Sequence, residues 1–386
     1  MTNTFLAPTQ EMESISRQLQ ASMVESIQQA GGWMPFDQWM SQALYTPGLG
    51  YYSNLHGLGL SGDFITAPEI SPLFSRVIAK QIMSVLSDME SPEILEFGAG
   101  SGAMAAEIMA ELERQGQLPD SYNILEVSAG LKVRQRELLG ERIPHLVDRI
   151  NWLDTMPETH FQGVVVANEV MDAIPVERFV VRRGTAIALG VSIDENGILV
   201  MREHPDGMAV ELPAEIDMES MDDGYMSEVR PGLSPWIASI SDQLQRGIVL
   251  LIDYGYSRTE YYRPERNSGT LSCFYRHHRH EDALALPGLQ DITAHIDFTA
   301  VAEAADESGL DVAGYTTQAY FLLAGGIAKM AEDENLDDIQ ARIETSRAIQ
   351  QLTMPAQMGE VVKVMALTRG VKLPDTFTIH DQLHTL

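Results

Sequence analysis

Residues 94–105 read ILEFGAGSGAMA, with Glu96 two positions ahead of Gly98 and glycine recurring at Gly100 and Gly102. Alternate glycines at the end of an apolar strand let the chain reverse and bring bare backbone against a ligand. The helix start that follows offers unpaired N–H groups and the positive end of its dipole. The spacing G-x-G-x-G departs from the dinucleotide fingerprint G-x-G-x-x-G. A carboxylate at Glu96 facing the turn repels a pyrophosphate and suits a ligand carrying an ammonium and a sulfonium, such as S-adenosyl-L-methionine. Glu126, at the end of the next apolar run, is placed to accept both hydroxyls of a ribose. NAD proteins share that feature, so Glu126 points to a nucleoside without choosing between cofactors.

A second constellation lies in VVVANEVMDAIPVERF, residues 164–179, where Asn168, Glu169 and Asp172 follow a buried-strand pattern. Two carboxylates three residues apart at that position can clamp a cation or hold a guanidinium through charge-assisted, bidentate bonds. The plainer reading is a capping cluster on a short helix broken by Pro175. His295, in DITAHIDF, sits between short apolar residues; it can orient a substrate or act as a base, and equally be a partly buried, satisfied histidine. In FYRHHRHED, His277, His278 and His280 lie near Cys273, but the spacing matches no zinc pattern, and no metal is expected. In GDFITAPEISPLF, Thr66 and Glu69 have capping-box spacing, while the glycine-rich lead-in reads as a loop folding over the cofactor, with Thr66 beside it.

These residues need elements to position them. Ile15, Leu19, Met23 and Ile27 recur every four residues, which predicts an amphipathic helix over 14–30. Residues 45–70 have glycines, aromatics and no period, the mark of a long functional loop. A helix follows from Pro72, capped by Ser71 or Thr66. Short apolar strands then alternate with helical patterns: EILEF, a helix over 102–115, YNILE, a helix over 129–139, INWL and GVVVA. Such alternation predicts a parallel sheet with helices on both faces. Turn signals at Arg183-Gly184 and Glu195-Asn196-Gly197 predict an antiparallel β-hairpin insertion over 179–212. The parallel rhythm resumes at GIVLLID, and the last strand is EVVKVMAL, an order that fits the seven-stranded, Rossmann-like class I methyltransferase sheet. The expected domains are an N-terminal helical extension with the covering loop (1–75), a core (76–178 and 246–386, with a helical insertion at about 319–352) and an inserted substrate or partner subdomain (179–245).

The composition narrows the partners. Lys and Arg number 26 against 55 Asp and Glu, a formal charge of −29, which repels nucleic acid and anionic membranes and favours a basic protein partner or a cationic substrate group. A single cysteine excludes an intrachain disulfide and fits a reducing compartment. The acidic first residues lack a signal or presequence pattern, and no apolar run approaches the roughly 20 residues that span a bilayer. The expectation is a cytoplasmic protein, its oligomeric state open, a dimer included.

Taken together, GDFITAPEIS, ILEFGAGSGAMA, NEVMDAIPVERF, LLIDYGY, GTLSCFYRHH and DITAHIDFTA resemble the MidA family of S-adenosyl-L-methionine-dependent methyltransferases. Its mitochondrial member is a complex I assembly factor that methylates an arginine of a complex I subunit. The resemblance spans residues 20 to 370 or so, with Ala99 where family turns often carry proline. It implies a class I methyltransferase fold and a protein arginine as acceptor, with a respiratory complex I subunit as a candidate substrate. It puts cofactor contacts at Glu96, Gly98, Gly100, Gly102 and Glu126, with the GDFIT loop and its Thr66 alongside, and Asn168, Glu169 and Asp172 at the acceptor. Two rival readings remain at this point: a cofactor-binding assembly or interaction protein with little turnover, and a nicotinamide-dependent oxidoreductase.

Overall fold

The computed structural model describes residues 7–53, 66–334 and 338–386. The GDFI portion of the GDFIT loop, residues 62–65, lies outside them. The chain divides into two compact units: a sheet unit of Ile65–Met171, Ser234–Ser257 and Ile296–Leu386, and a second unit of Met1–Phe64, Asp172–Leu233 and Arg258–His295.

The sheet unit is built on β1 (Pro92–Phe97), β2 (Ser121–Leu125), β3 (Ile150–Leu153), β4 (Phe161–Asn168), β5 (Leu244–Tyr256), β6 (Asp311–Thr317) and β7 (Val362–Arg369). Their spatial order is β6-β7-β5-β4-β1-β2-β3, and the short strand Ile296–Asp297 adds to the end of β5. The five strands from β5 to β3 run parallel, while β7 runs antiparallel to both β5 and β6. The near-continuous apolar runs of β4 and β5 follow from this position, since a central parallel strand is covered on both faces. Val164, Val165 and Val166 are completely buried, as are Leu251 and Ile252. The chain order reverses between β4 and β1, which places a crevice outside their carboxyl ends, where open α/β sheets bind ligands.

Helix α1 (Pro72–Leu86) starts where expected: the Ser71 hydroxyl accepts the Leu73 N–H at 3.2 Å, and proline takes the first turn, where it has no amide to lose. Thr66 precedes a separate short helix, Ala67–Ile70, and makes no side-chain cap bond to it, so the capping-box spacing with Glu69 does not produce the box. Helices α2 (Ala103–Arg114) and α3 (Ala129–Arg142) follow β1 and β2. Helices Gln318–Ala324, Ile327–Asp333 and Ile339–Thr353 fill the interval between β6 and β7.

The second unit combines segments that the sequence reading kept apart. Glu177–Arg182 and Thr185–Ile193 form the expected hairpin around Arg183 and Gly184, both at positive φ as a two-residue primed turn requires. Leu199–Glu203 pairs with Thr185–Ile193. The N-terminal region is more than a helical extension, because Trp33–Pro35 supplies an edge strand to the same sheet. Three residues are too few to show an alternating pattern. Leu19, Met23 and Ile27 of helix Gln10–Gln29 join Phe36, Trp39, Val191, Cys273 and Ile292 in one buried core. The insertion therefore folds with the N-terminus and with 258–295, and its body spans Asp172–Leu233 in place of 179–245. The histidine run becomes a hairpin with Arg276 and His277 at its turn. Among the described residues, no group of three His, Cys, Asp or Glu could hold a metal ion, and no helix is long and apolar enough to cross a membrane.

Candidate active site

At the end of β1 the chain enters the glycine turn. Gly98 (φ 58°), Gly100 (φ 54°) and Gly102 (φ 88°) all adopt left-handed backbone, which an L side chain enters only with strain. Gly98 N–H is fixed to the Leu125 carbonyl at 3.0 Å, and Gly102 N–H closes the turn onto the Ala99 carbonyl at 2.8 Å. A Cβ at Gly98 would lie 3.3 Å from Val170, and one at Gly102 3.4 Å from Gln135. At Gly100 a Cβ would meet no atom of the described residues within 4 Å, so bare backbone there borders open space among them.

Glu126 ends the crossing from β2. One carboxylate oxygen accepts the Ser128 N–H at 2.9 Å, and the other accepts the Gln135 side-chain amide at 3.0 Å. The same Gln135 nitrogen reaches the Gly100 carbonyl at 3.0 Å, while Trp152 Nε1 donates to Gln135 Oε1 at 2.9 Å. Gln135 is completely buried and ties the glycine turn to the ribose-type carboxylate. Sequence reasoning missed it; a polar residue on the buried face of α3 was the available signal.

Glu96 is 1% exposed. Its Oε2 accepts the Tyr122 hydroxyl at 2.7 Å, and its Oε1 is buried without a hydrogen-bond partner. Burial pushes this carboxyl up to about 8, with the Tyr122 hydrogen bond opposing and the nearby Glu126 charge adding to the rise. Burial also raises Glu126, against its hydrogen bonds from Ser128 and Gln135. Two desolvated carboxylates beside a glycine turn fit a cationic nucleoside. S-adenosyl-L-methionine meets that description: Glu126 and the glycine backbone would hold its nucleoside part, and Glu96 would face its positive charge. A pyrophosphate would be repelled there.

Asn168 and Glu169 stand at the end of β4. Asn168 donates to Glu169 Oε1 at 3.3 Å, and its own buried Oδ1 has no hydrogen-bond partner. Glu169 is held at φ 52°, rare for a non-glycine residue, by its N–H bond to the Ile252 carbonyl at 2.8 Å. The Ala67 N–H approaches Glu169 Oε1 at 3.5 Å, next to Thr66 in the chain. Asp253, buried in the LLIDYGY motif, accepts the Met171 N–H at 2.9 Å and so braces the turn that presents Glu169. The strained backbone explains why no regular capped helix forms here.

Asp172 and His295 belong to the second unit, where Arg230 joins their segments. Its guanidinium donates to the carbonyls of Asp172 at 3.2 Å, Ile174 at 3.0 Å, Ala294 at 2.7 Å and His295 at 3.0 Å. Burial raises the Asp172 carboxyl to about 6, opposed by the Arg230 charge. Burial drives the His295 imidazole down to about 3, aided by the charges of Arg266, Arg279 and Arg230. His295 is thereby neutral at physiological pH and a weak proton acceptor, better suited to orienting a partner than to serving as a base.

Comparison with known proteins agrees with this chemistry. Residues 77–316 match the profile of a family described as S-adenosyl-L-methionine-dependent methyltransferases. The chain is 39% identical to a Burkholderia thailandensis methyl transferase crystallised with S-adenosyl-homocysteine, with a TM-score of 0.94 over 99% of this chain and 100% of that one. It is 27% identical to the Drosophila melanogaster protein named protein arginine methyltransferase NDUFAF7 homolog, mitochondrial, over 93% of this chain and 85% of that protein. The Danio rerio protein arginine methyltransferase NDUFAF7, mitochondrial, is 25% identical over 89% of this chain and 85% of its own length.

Proposed function

From the premise that this chain belongs to the MidA-type family of S-adenosyl-L-methionine-dependent methyltransferases, we propose that its acceptor is a guanidinium nitrogen of a protein arginine. One observation supports this reading above the others: Glu169 stands at the carboxyl end of β4 in a strained conformation held by the bonds that its own N–H and the Met171 N–H make to Ile252 and Asp253 on β5. Strain of this kind costs about 1–3 kcal/mol and persists where the surroundings over-determine it, usually at functional sites.

When bound, the cofactor would supply the methyl group for an in-line displacement in which the N–CH3 bond forms as the S–CH3 bond breaks, S-adenosylhomocysteine leaves and the proton of the methylated nitrogen passes to solvent. The glycine turn and Glu126 fix the nucleoside, so the reacting carbon has one position. Glu169, oriented by the Asn168 amide, accepts N–H bonds from the guanidinium and aligns its nitrogen while balancing the charge. Alignment and preorganised charge carry most of such a reaction. His295, held neutral, is suited to orienting a partner within its own unit, and Thr66 would border the bound cofactor.

The charge of −29 favours a basic protein acceptor. By resemblance to the mitochondrial family member, we take a respiratory complex I subunit as the candidate substrate; a chain with a single cysteine fits the reducing cytoplasm, where we place the enzyme. The test is transfer of tritiated methyl from the cofactor to proteins of a cell extract, followed by hydrolysis and identification of the labelled residue. Label in methylarginine is expected. Label in lysine or in base-labile esters contradicts the acceptor, and no label at all favours an assembly protein without turnover.

A further inference from the structure

Two buried oxygens at the carboxyl ends of neighbouring strands have no hydrogen-bond partner among the described residues: Glu96 Oε1 on β1 and Asn168 Oδ1 on β4. Glu96 is 1% exposed and Asn168 9%. Both strands belong to the sheet unit and pair in parallel, with Glu96 beside Val166 and Phe97 beside Ala167. Register partners of a parallel pair point to the same face, and side chains alternate along each strand. Asn168, two residues after Val166, therefore shares the face of Glu96. The two acceptors stand one pleat apart on one side of the sheet edge, where β1 gives way to the glycine turn.

The other ends of these side chains are committed. Glu96 Oε2 accepts the Tyr122 hydroxyl at 2.7 Å, and Asn168 Nδ2 donates to Glu169 Oε1 at 3.3 Å. Buried acceptors in native proteins are completed by a ligand or by ordered water. A carboxyl oxygen and an amide oxygen facing one space call for a group that only donates, and a positive charge on that group strengthens both bonds. S-adenosyl-L-methionine carries two cationic groups. Its sulfonium has no N–H or O–H and can donate to neither oxygen, whereas its α-ammonium has three donors and can serve both at once.

We propose that Glu96 Oε1 and Asn168 Oδ1 together hold the α-ammonium of the cofactor, so that the Asn168 amide serves both substrates: its oxygen takes the cofactor and its nitrogen holds Glu169. The sequence places Asn168 with the acceptor; its unpartnered oxygen assigns it to the cofactor as well. The ammonium site rests on the cofactor alone. Only the link to Glu169 rests on the reading of that carboxylate as the acceptor clamp.

The probes are S-adenosylhomocysteine, which keeps the ammonium and lacks the sulfonium, and its desamino analogue, in which a hydrogen replaces the amine. Each is titrated calorimetrically into the full chain. Asn168→Ala should weaken S-adenosylhomocysteine about tenfold, the scale of one hydrogen bond to a charged group, and leave the desamino analogue within about twofold of its wild-type affinity. The decarboxylated analogue, which keeps the amine, should feel Asn168→Ala about as strongly as S-adenosylhomocysteine does. Glu96→Gln should weaken S-adenosylhomocysteine without weakening the desamino analogue, and it carries the comparison if the melting curve shows that Asn168→Ala does not fold. Equal losses for ligands with and without the amine overturn the site, as does unchanged affinity for S-adenosylhomocysteine. A loss confined to S-adenosyl-L-methionine would place the sulfonium at these oxygens and overturn it too. Because every readout is binding of a cofactor analogue, methyl label found on a residue other than arginine contradicts the acceptor reading alone and leaves this site standing.

Discussion

Gln135 donates one side-chain amide to both Glu126 and the Gly100 carbonyl, each at 3.0 Å, so the carboxylate proposed to meet the ribose and the turn proposed to meet the rest of the cofactor share one anchor. Removing Gln135 should therefore weaken cofactor binding without touching the cofactor directly. Glu126→Ala is expected to weaken S-adenosylhomocysteine binding by roughly 1–3 kcal/mol, the scale for losing charged hydrogen bonds, and Gln135→Ala by a smaller amount. Calorimetric titration of both variants checks this. Wild-type affinity in Glu126→Ala would move the ribose elsewhere.

Gly100→Val should abolish cofactor binding while the protein still folds. No atom of the described residues lies within 4 Å of a Cβ at this position, so the side chain would enter the space proposed for the ligand, and left-handed backbone adds about 1–2 kcal/mol of strain. A melting curve shifted by a few degrees beside an undetectable titration is the expected pair of results. Retained affinity contradicts the turn's role.

The raised carboxyl of Glu96 makes stability depend on pH with a definite sign. Between the ordinary carboxyl value of 4.5 and about 8, the folded state holds a proton that the unfolded state has released, so stability falls as pH rises through this window and levels off above it. Glu126 and Asp172, also raised by burial, act in the same direction. Glu96→Gln should flatten the slope between pH 5 and 8. Cofactor affinity in the wild type should strengthen toward pH 8, because a cationic ligand favours the ionised carboxylate. Denaturation at several pH values for both proteins measures the difference; identical slopes contradict it.

His295 carries the opposite sign. Its folded value of about 3 lies below the ordinary imidazole value of 6.5, so the unfolded state takes up a proton first and this group costs stability as pH falls from 6.5 toward 3. Its imidazole signals in an NMR titration should stay constant from pH 8 to pH 5. A midpoint near 6.5 would restore His295 as a candidate base.

Much of this architecture was legible in the sequence because it is written in long patterns. The valine run of β4, the alternation of strands with helices and the GAGSG turn each impose one local solution, and Ser71 announces its cap. The Arg183-Gly184 hairpin was equally clear, as primed turns leave a strong signature. What escaped depends on tertiary partners. Trp33–Pro35 becomes a strand only because Thr185–Ile193 offers it an edge. Gln135 and Arg230 look like ordinary polar residues until partners such as Gly100, 35 residues from Gln135, and His295, 65 residues from Arg230, are known. Asp253 stood inside a quoted motif, yet its bond to Met171 is a long-range relation that no spacing reveals.

The central claim is that a carboxylate at the end of β4 holds an acceptor guanidinium, and Glu169→Gln tests it most directly, since it keeps the side-chain shape and removes the charge. The measurement is the rate of tritium transfer to protein arginine at saturating cofactor, with the dissociation constant for S-adenosylhomocysteine determined on the same preparation. Removal of one charge-stabilising group from a preorganised site costs about 3 kcal/mol, so transfer should fall roughly 100-fold or more while cofactor affinity stays within about twofold. Transfer at the wild-type rate with cofactor binding intact would contradict the account.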